Sequence, residues 1–190
     1  MKFKDESKRL LIIDKTLDLV LLEGVAGLKM AKLAKEVGIS PSTLYVYYKN
    51  KDALIISIFT DIIKEQTKIS KKQLNTDLAY KIKLKTIWRQ WLKFSVTNFK
   101  EMNFMEQVKQ SPYLEKIPTQ IITEKQGLSD TLFKVGKEQE LLKNIDDEIL
   151  TSIIGSMLKV SSELIIKNKI SLNKKDTDMM FAFLWDAIKN

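Results

Sequence analysis

The stretch Lys29–Leu54, KMAKLAKEVGISPSTLYVYYKNKDAL, decides how this chain is read. Met30, Leu33, Ala34 and Val37 recur at helical spacing, and Gly38 closes that short helix by supplying a left-handed residue. Ser40 is a good N-cap, and Pro41 stands at the first helical position, where its missing N–H costs nothing. The pattern predicts a second short helix from Pro41 to about Tyr47, then a further helix capped by Asn50 with Asp52 in its first turn. Two short helices joined by a tight turn follow the helix-turn-helix plan, whose second helix enters the major groove of DNA. Leu44 and Tyr48, four residues apart, pin that helix to a core. Ser42, Thr43, Tyr45 and Tyr47 then face outward, as hydroxyls and phenols suited to phosphate oxygens and base edges. Lys49 and Lys51 follow at once and can neutralise flanking phosphates. In isolation, the tyrosines would equally cover a small core and the lysines would be solvated surface. The turn, the spacing and the N-terminal position together favour DNA.

Working outward, sparse glycine and proline make the punctuation plain, and no run alternates as a strand would. The chain reads as all-α. A first helix is expected from about Ser7 to Glu23, with Ile13, Leu17, Val20 and Leu21 on one face and Gly24 as its stop. Beyond the quoted stretch, helices are predicted over Asp77–Phe99, Met102–Gln110, Thr119–Leu142 and Asp146–Asn168, and a last one is capped by Asn173. Asp176, three residues after that cap, resembles the acid of a capping box. The expected division is a DNA-binding domain over 1–54 and a larger helical domain over 55–190, with the coarse boundary inside the fourth helix, near Phe59 to Thr67.

Composition narrows the chemistry. The 190 residues include 32 basic and 24 acidic side chains, a net charge of +8, which favours an anionic partner. There is no cysteine and no histidine. Disulfides, thiolate metal sites and cysteine nucleophiles are excluded, and the commonest metal ligand and general base are gone. No nucleophile–base arrangement or phosphate loop is visible, so an enzyme, a cofactor and a metal are not expected. Arg9 and Arg89 are the only arginines, so bidentate reading of guanine is nearly unavailable. No uncharged stretch approaches the roughly 20 residues that span a bilayer, and the start of the chain is charged, so a cytoplasmic protein with no membrane partner is expected.

The residues Leu33-Ala34, Gly38-Ile39-Ser40, Thr43-Leu44-Tyr45, Tyr47-Tyr48 and Lys51-Asp52-Ala53-Leu54, preceded by Glu23-Gly24, resemble the TetR-type bacterial repressors. The resemblance puts the family's recognition-helix tyrosine on Tyr45, its aromatic core residue on Tyr48 and its phosphate-binding lysine on Lys51. Lys29 stands where the family often has a threonine that caps the second helix and touches phosphate. Lysine cannot cap, although it can reach a phosphate. The DNA-contacting set is then Lys29, Ser40, Ser42, Thr43, Tyr45, Tyr47, Lys49 and Lys51. The family also implies a homodimer on a palindromic double-stranded DNA operator and a C-terminal domain that binds a small-molecule effector. A co-regulator of the same fold that has lost DNA binding is the other reading, and the intact Tyr45, Lys49 and Lys51 oppose it.

In the C-terminal part, the helix from Asp146 is apolar on more than one face, and the last helix repeats that pattern. A helix with two apolar faces needs two neighbours, one of them across a two-fold. Ile154, Met157, Leu158, Ser161, Met180, Phe183 and Leu184 are the candidate dimer contacts, against the alternative of an ordinary bundle core. For an apolar or amphipathic effector, Trp88, Trp91 and Ser95 share a face, with Phe104, Met105, Leu132, Phe133 and Met157 to complete a cavity. Plain core packing is the alternative for each of these.

Overall fold

A computed structural model of the chain describes residues 5–190. The first four residues, part of the expected DNA-binding domain, lie outside the described residues. The described residues form helices α1 (Glu6–Gly27), α2 (Met30–Val37), α3 (Pro41–Tyr47), α4 (Lys51–Leu74), α5 (Tyr80–Thr97), α6 (Phe99–Lys109), α7 (Thr119–Glu138), α8 (Asp147–Ile166) and α9 (Lys174–Ile188), with a 3₁₀ turn at Leu114–Lys116. The expected caps at Asn50 and Asn173 are made, and Asp5 and Asp146 add two that were not expected. Asp5 accepts from the Ser7 N–H, Asn50 from that of Ala53, Asp146 from that of Glu148 and Asn173 from that of Asp176. The Asp176 carboxylate departs from a capping box by reaching past Asn173 to accept from the Ser171 N–H at 2.8 Å.

The chain divides into two compact units, and the break inside α4 falls in the expected stretch near Phe59 to Thr67. Residues 1–63 and 99–119 make the first, and residues 64–98 and 120–190 make the second. The division differs from the expected one because α6 packs along α1 and buries Phe104, Met105 and Val108 there. On α1 the buried stripe is also rotated from the expected one. Ile12, Thr16, Leu17, Leu19 and Val20 are inside, Ile13 is half-buried and Leu21 is exposed. The hydroxyl of Thr16 escapes the cost of burial by donating to the Ile12 carbonyl at 2.7 Å.

In the second unit, α5 packs on α8 and α9 around Trp88, which is fully buried. Phe181 meets Trp88 at 5.8 Å between centroids, and Trp185 stacks on Phe181 at 6.3 Å. Lys85 pairs with Asp178 at 2.9 Å, α5 to α9. Tyr80 and Gly136 touch at a point with no room to spare. A Cβ on Gly136 would stand 2.5 Å from the Tyr80 ring and 2.8 Å from Leu142 Cδ1. Gly136→Ala should therefore destabilise by about 1–3 kcal/mol through overpacking, less about 1 kcal/mol regained in helix propensity. Thermal unfolding checks this: a variant as stable as the parent would show that the contact yields freely.

Candidate nucleic-acid interface

The interface is built on the turn between α2 and α3. Gly38 is left-handed (φ 73°, ψ 33°). Its N–H reaches the Lys35 carbonyl at 3.1 Å, while that of Ile39 reaches Ala34 at 3.0 Å. These two bonds satisfy carbonyls that the end of α2 would otherwise leave open. Ser40 then starts α3 by accepting from the Thr43 N–H at 3.1 Å, and its Oγ also meets Ser42 Oγ and Thr43 Oγ1, each at 2.8 Å. Ser40 thus spends its hydroxyl on the cap. Leu44 and Tyr48 are buried, as the sequence predicts, which leaves Ser42, Tyr45 and Lys49 exposed, with Thr43 and Tyr47 half-buried at the edge.

Sequence reasoning missed Val46. It is 62 % exposed and shares the outward face with Ser42 and Tyr45. The signal was available, because burial of Leu44 and Tyr48 turns positions 42, 45 and 46 away from the core. An exposed valine there offers methyl groups, which can pack against the methyl of thymine.

Two of the candidate lysines differ in their surroundings. Lys29 is exposed at the start of α2 and makes no side-chain cap, as its chemistry requires. Lys51 is drawn inward. Its Nζ donates to the Ala26 carbonyl at 2.9 Å and lies 5.8 Å from the centre of the Tyr113 ring. Burial lowers its pKa, with Asp52 acting in the opposite sense. Asp52 itself pairs with Lys116 at 2.6 Å. Lys51 therefore ties the end of α1 to the start of α4.

The other sequence-predicted residues divide between the units. Phe104 and Met105 are core residues of the first unit, where α6 packs on α1, whereas Trp88 and Trp91 belong to the second. In the second unit, Trp88, Leu132 and Phe133 are core, Met157 packs against that core, and Ser95 is buried. Only Trp91 and Leu132 of the expected set line a cleft, together with Ser70, Leu74, Ile87, Leu128 and Ser129. Its free volume is about 10 Å³, room for one water at most. Of the dimer candidates, Ile154, Ser161, Met180 and Leu184 are buried within the protomer, and Met157 and Leu158 are half-buried against its core. Phe183 alone of that set is exposed, at 56 %. The apolar side chains that α8 and α9 leave outside are Ile149, Val160, Ile166, Met179 and Phe183.

A helix-turn-helix with a lysine-flanked recognition helix defines a DNA-binding protein of the regulator class. Residues 12–58 match the family model described as bacterial regulatory proteins of the tetR family, and residues 59–190 match that of the tetracyclin repressor-like C-terminal domain. The chain belongs to the TetR family and is a DNA-binding transcriptional regulator. Among curated proteins it is similar to the fatty acid metabolism regulator protein of Bacillus subtilis (strain 168), 33 % identical over 54 residues. That stretch is 28 % of this chain and 28 % of the relative. A TetR family transcription regulator from Marinobacter aquaeolei VT8 superposes with a TM-score of 0.85 at 19 % identity, covering 100 % of both chains. The transcriptional regulator FadR from Bacillus subtilis, solved in complex with stearoyl-CoA, superposes with a TM-score of 0.73 at 18 % identity over 93 % of this chain and 97 % of that one.

The two lysines flanking α3 should separate in a salt titration. Lys49→Ala should lower the slope of log affinity against log salt by about one ion, the loss of one phosphate contact. Lys51→Met should leave that slope unchanged and lower the unfolding temperature instead. A loss of about one ion in the Lys51 variant would return that residue to a phosphate-binding role.

Proposed function

We propose that the chain is a homodimeric repressor whose release from a palindromic operator is driven by a small apolar or amphipathic effector bound in the second unit. The observation that carries its DNA-directed part is the outward face of α3, where Ser42, Tyr45 and Val46 stand beside Lys49. A dimer would place two such helices in successive major grooves, roughly 34–36 Å apart.

The exposed apolar side chains of α8 and α9 support the dimer. Helix α8 is long and apolar enough, by length and composition, to cross a bilayer (mean hydropathy 1.6), yet only 22 % of that apolar stretch is buried in the protomer. A second copy would cover this surface through Ile149, Val160, Met179 and Phe183, with Gly155 and Ser156 allowing close helix approach. The parent should sediment as a dimer at micromolar concentration and Phe183→Asp as a folded monomer. A Phe183→Asp dimer as tight as the parent would place the interface elsewhere.

For the effector, a molecule with a long aliphatic chain and a carbonyl fits best, a fatty acyl thioester being the representative class. The relatives named above include a fatty acid metabolism regulator and a regulator solved with stearoyl-CoA. In this chain the cleft at Trp91 is lined by Leu74, Ile87, Leu128 and Leu132 with Ser70 and Ser129, and the indole N–H of Trp91 is buried without a hydrogen-bond partner. Such a donor costs about 1–3 kcal/mol until an acceptor arrives, so a carbonyl-bearing guest would be stabilised there. The guest must widen the cleft, and that differential binding would supply the coupling to DNA. Titration with long-chain acyl thioesters should shift Trp91 emission and release the operator in one concentration range, weakening binding about 5- to 150-fold. The signal should survive Trp185→Phe. Release without any change in Trp88 or Trp91 emission would move the effector site out of this cleft.

A further inference from the structure

The first unit contains a break that is repaired from outside its own helix. Gly24 takes a left-handed, extended conformation (φ 75°, ψ 162°) inside α1. In a regular helix the Val25 N–H would bond the carbonyl four residues back, and Gly24 turns it away. Val25 is buried, so an unpaired N–H there would be costly. Its partner comes from α6: the N–H donates to Gln107 Oε1 at 2.8 Å. The other end of the same carboxamide closes the loop, Gln107 Nε2 donating to the Val20 carbonyl at 3.2 Å and to Asn103 Oδ1 at 2.7 Å.

We propose that Gln107 is a positioning residue for operator recognition, splicing the break in α1 at Gly24 and so fixing the direction in which the helix-turn-helix leaves α1. Three observations support this. The segment after the break leads within a few residues into α2, whose N-cap, Lys29, contributes no side-chain bond. The connector is held instead by tertiary contacts: Gln107 at Val25, Lys51 at the Ala26 carbonyl, and the Lys32–Glu23 ion pair. Finally, the carboxamide is fitted closely to the break, for a Cβ on Gly24 would stand 3.4 Å from Gln107 Oε1.

An angular error introduced at Gly24 is carried rigidly through α2 to α3, and a recognition element has to be held within roughly 0.5 Å and 10–20° of its productive pose. Base-edge contacts depend steeply on that pose, whereas long lysine side chains can still find phosphates from a tilted helix. Gln107 lies on α6 and belongs to none of the surfaces assigned to DNA. Its loss should therefore damage specificity and leave electrostatics alone.

The test uses the full chain with a duplex selected from random sequence for tight binding and a duplex of unrelated sequence. Gln107→Ala should bind the selected duplex about tenfold more weakly, the worth of one to two ordinary hydrogen bonds. Its affinity for the unrelated duplex and its salt slope should match the parent. Hydrogen exchange should show the Val25 amide losing protection. Gln107→Glu keeps the acceptor for Val25 but cannot donate to Val20 when ionised. It should recover Val25 protection and part of the lost affinity, and this variant decides the matter if Gln107→Ala folds poorly. Equal losses on both duplexes, an unprotected Val25 amide with parental specificity, or a Glu variant no better than Ala would each overturn the proposal.

Discussion

A helix of seven residues cannot hold itself together in water, where isolated helices shorter than about 12–15 residues are marginal. Helix α3 has that length, and Leu44 is its one fully buried side chain, joined by Tyr48 at its C-cap. Its order must be imported, and much of the first unit does so. Gly38 and Ser40 set where α3 begins, and α2 carries that turn on the buried side chains of Leu33, Ala34 and Val37. Helix α1 supports α2, and α6 in turn supports α1. Each bond in the relay is worth about 0.5–1.5 kcal/mol, so the reading surface is held by many modest terms acting on one small element.

Lysine dominance shapes what that surface can read. One of the two arginines, Arg9, is held on α1 between Glu6 at 2.9 Å and Asp61 at 2.5 Å, and the other belongs to the second unit. Helix α3 therefore carries no guanidinium fork. On the proposed reading, discrimination would fall to hydroxyls, which accept or donate, and to the apolar Val46, while Lys49 would contribute sequence-independent attraction.

The second unit combines a closely packed aromatic centre with polar side chains in unusual places. Gln66, Thr67, Ser70 and Gln73 are all buried along the C-terminal half of α4, and Ser70 lines the cleft at Trp91. A core built for stability alone would fill such positions with leucine or isoleucine. Polar groups there weaken the packing locally, which would suit the proposed opening for an effector.

Amino-acid order alone determined the helical class, the caps at Ser40, Asn50, Asp146 and Asn173, the turn at Gly38 and the burial of Leu44 and Tyr48, because each is set by residues within about four positions of one another. Tertiary structure decided whatever depends on which neighbour a helix finds. The apolar stripe of α6 read as a pocket wall, and only the assembled structure showed that Phe104 and Met105 are buried in the first unit, where α6 packs on α1. Both apolar faces of α8 looked equally suited to a dimer, and only the packing of α5 and α9 showed that Ile154 and Ser161 are spoken for while Val160 is exposed. Lys51 looked like a phosphate ligand by position, yet the Ala26 carbonyl, remote in sequence, draws it inward. Gln107 carried no signal at all, since its meaning lies in a broken helix more than eighty residues earlier. Local hydrogen bonds and periodicity are written along the chain, whereas the partner of an apolar face or a long polar side chain is settled only when the helices assemble.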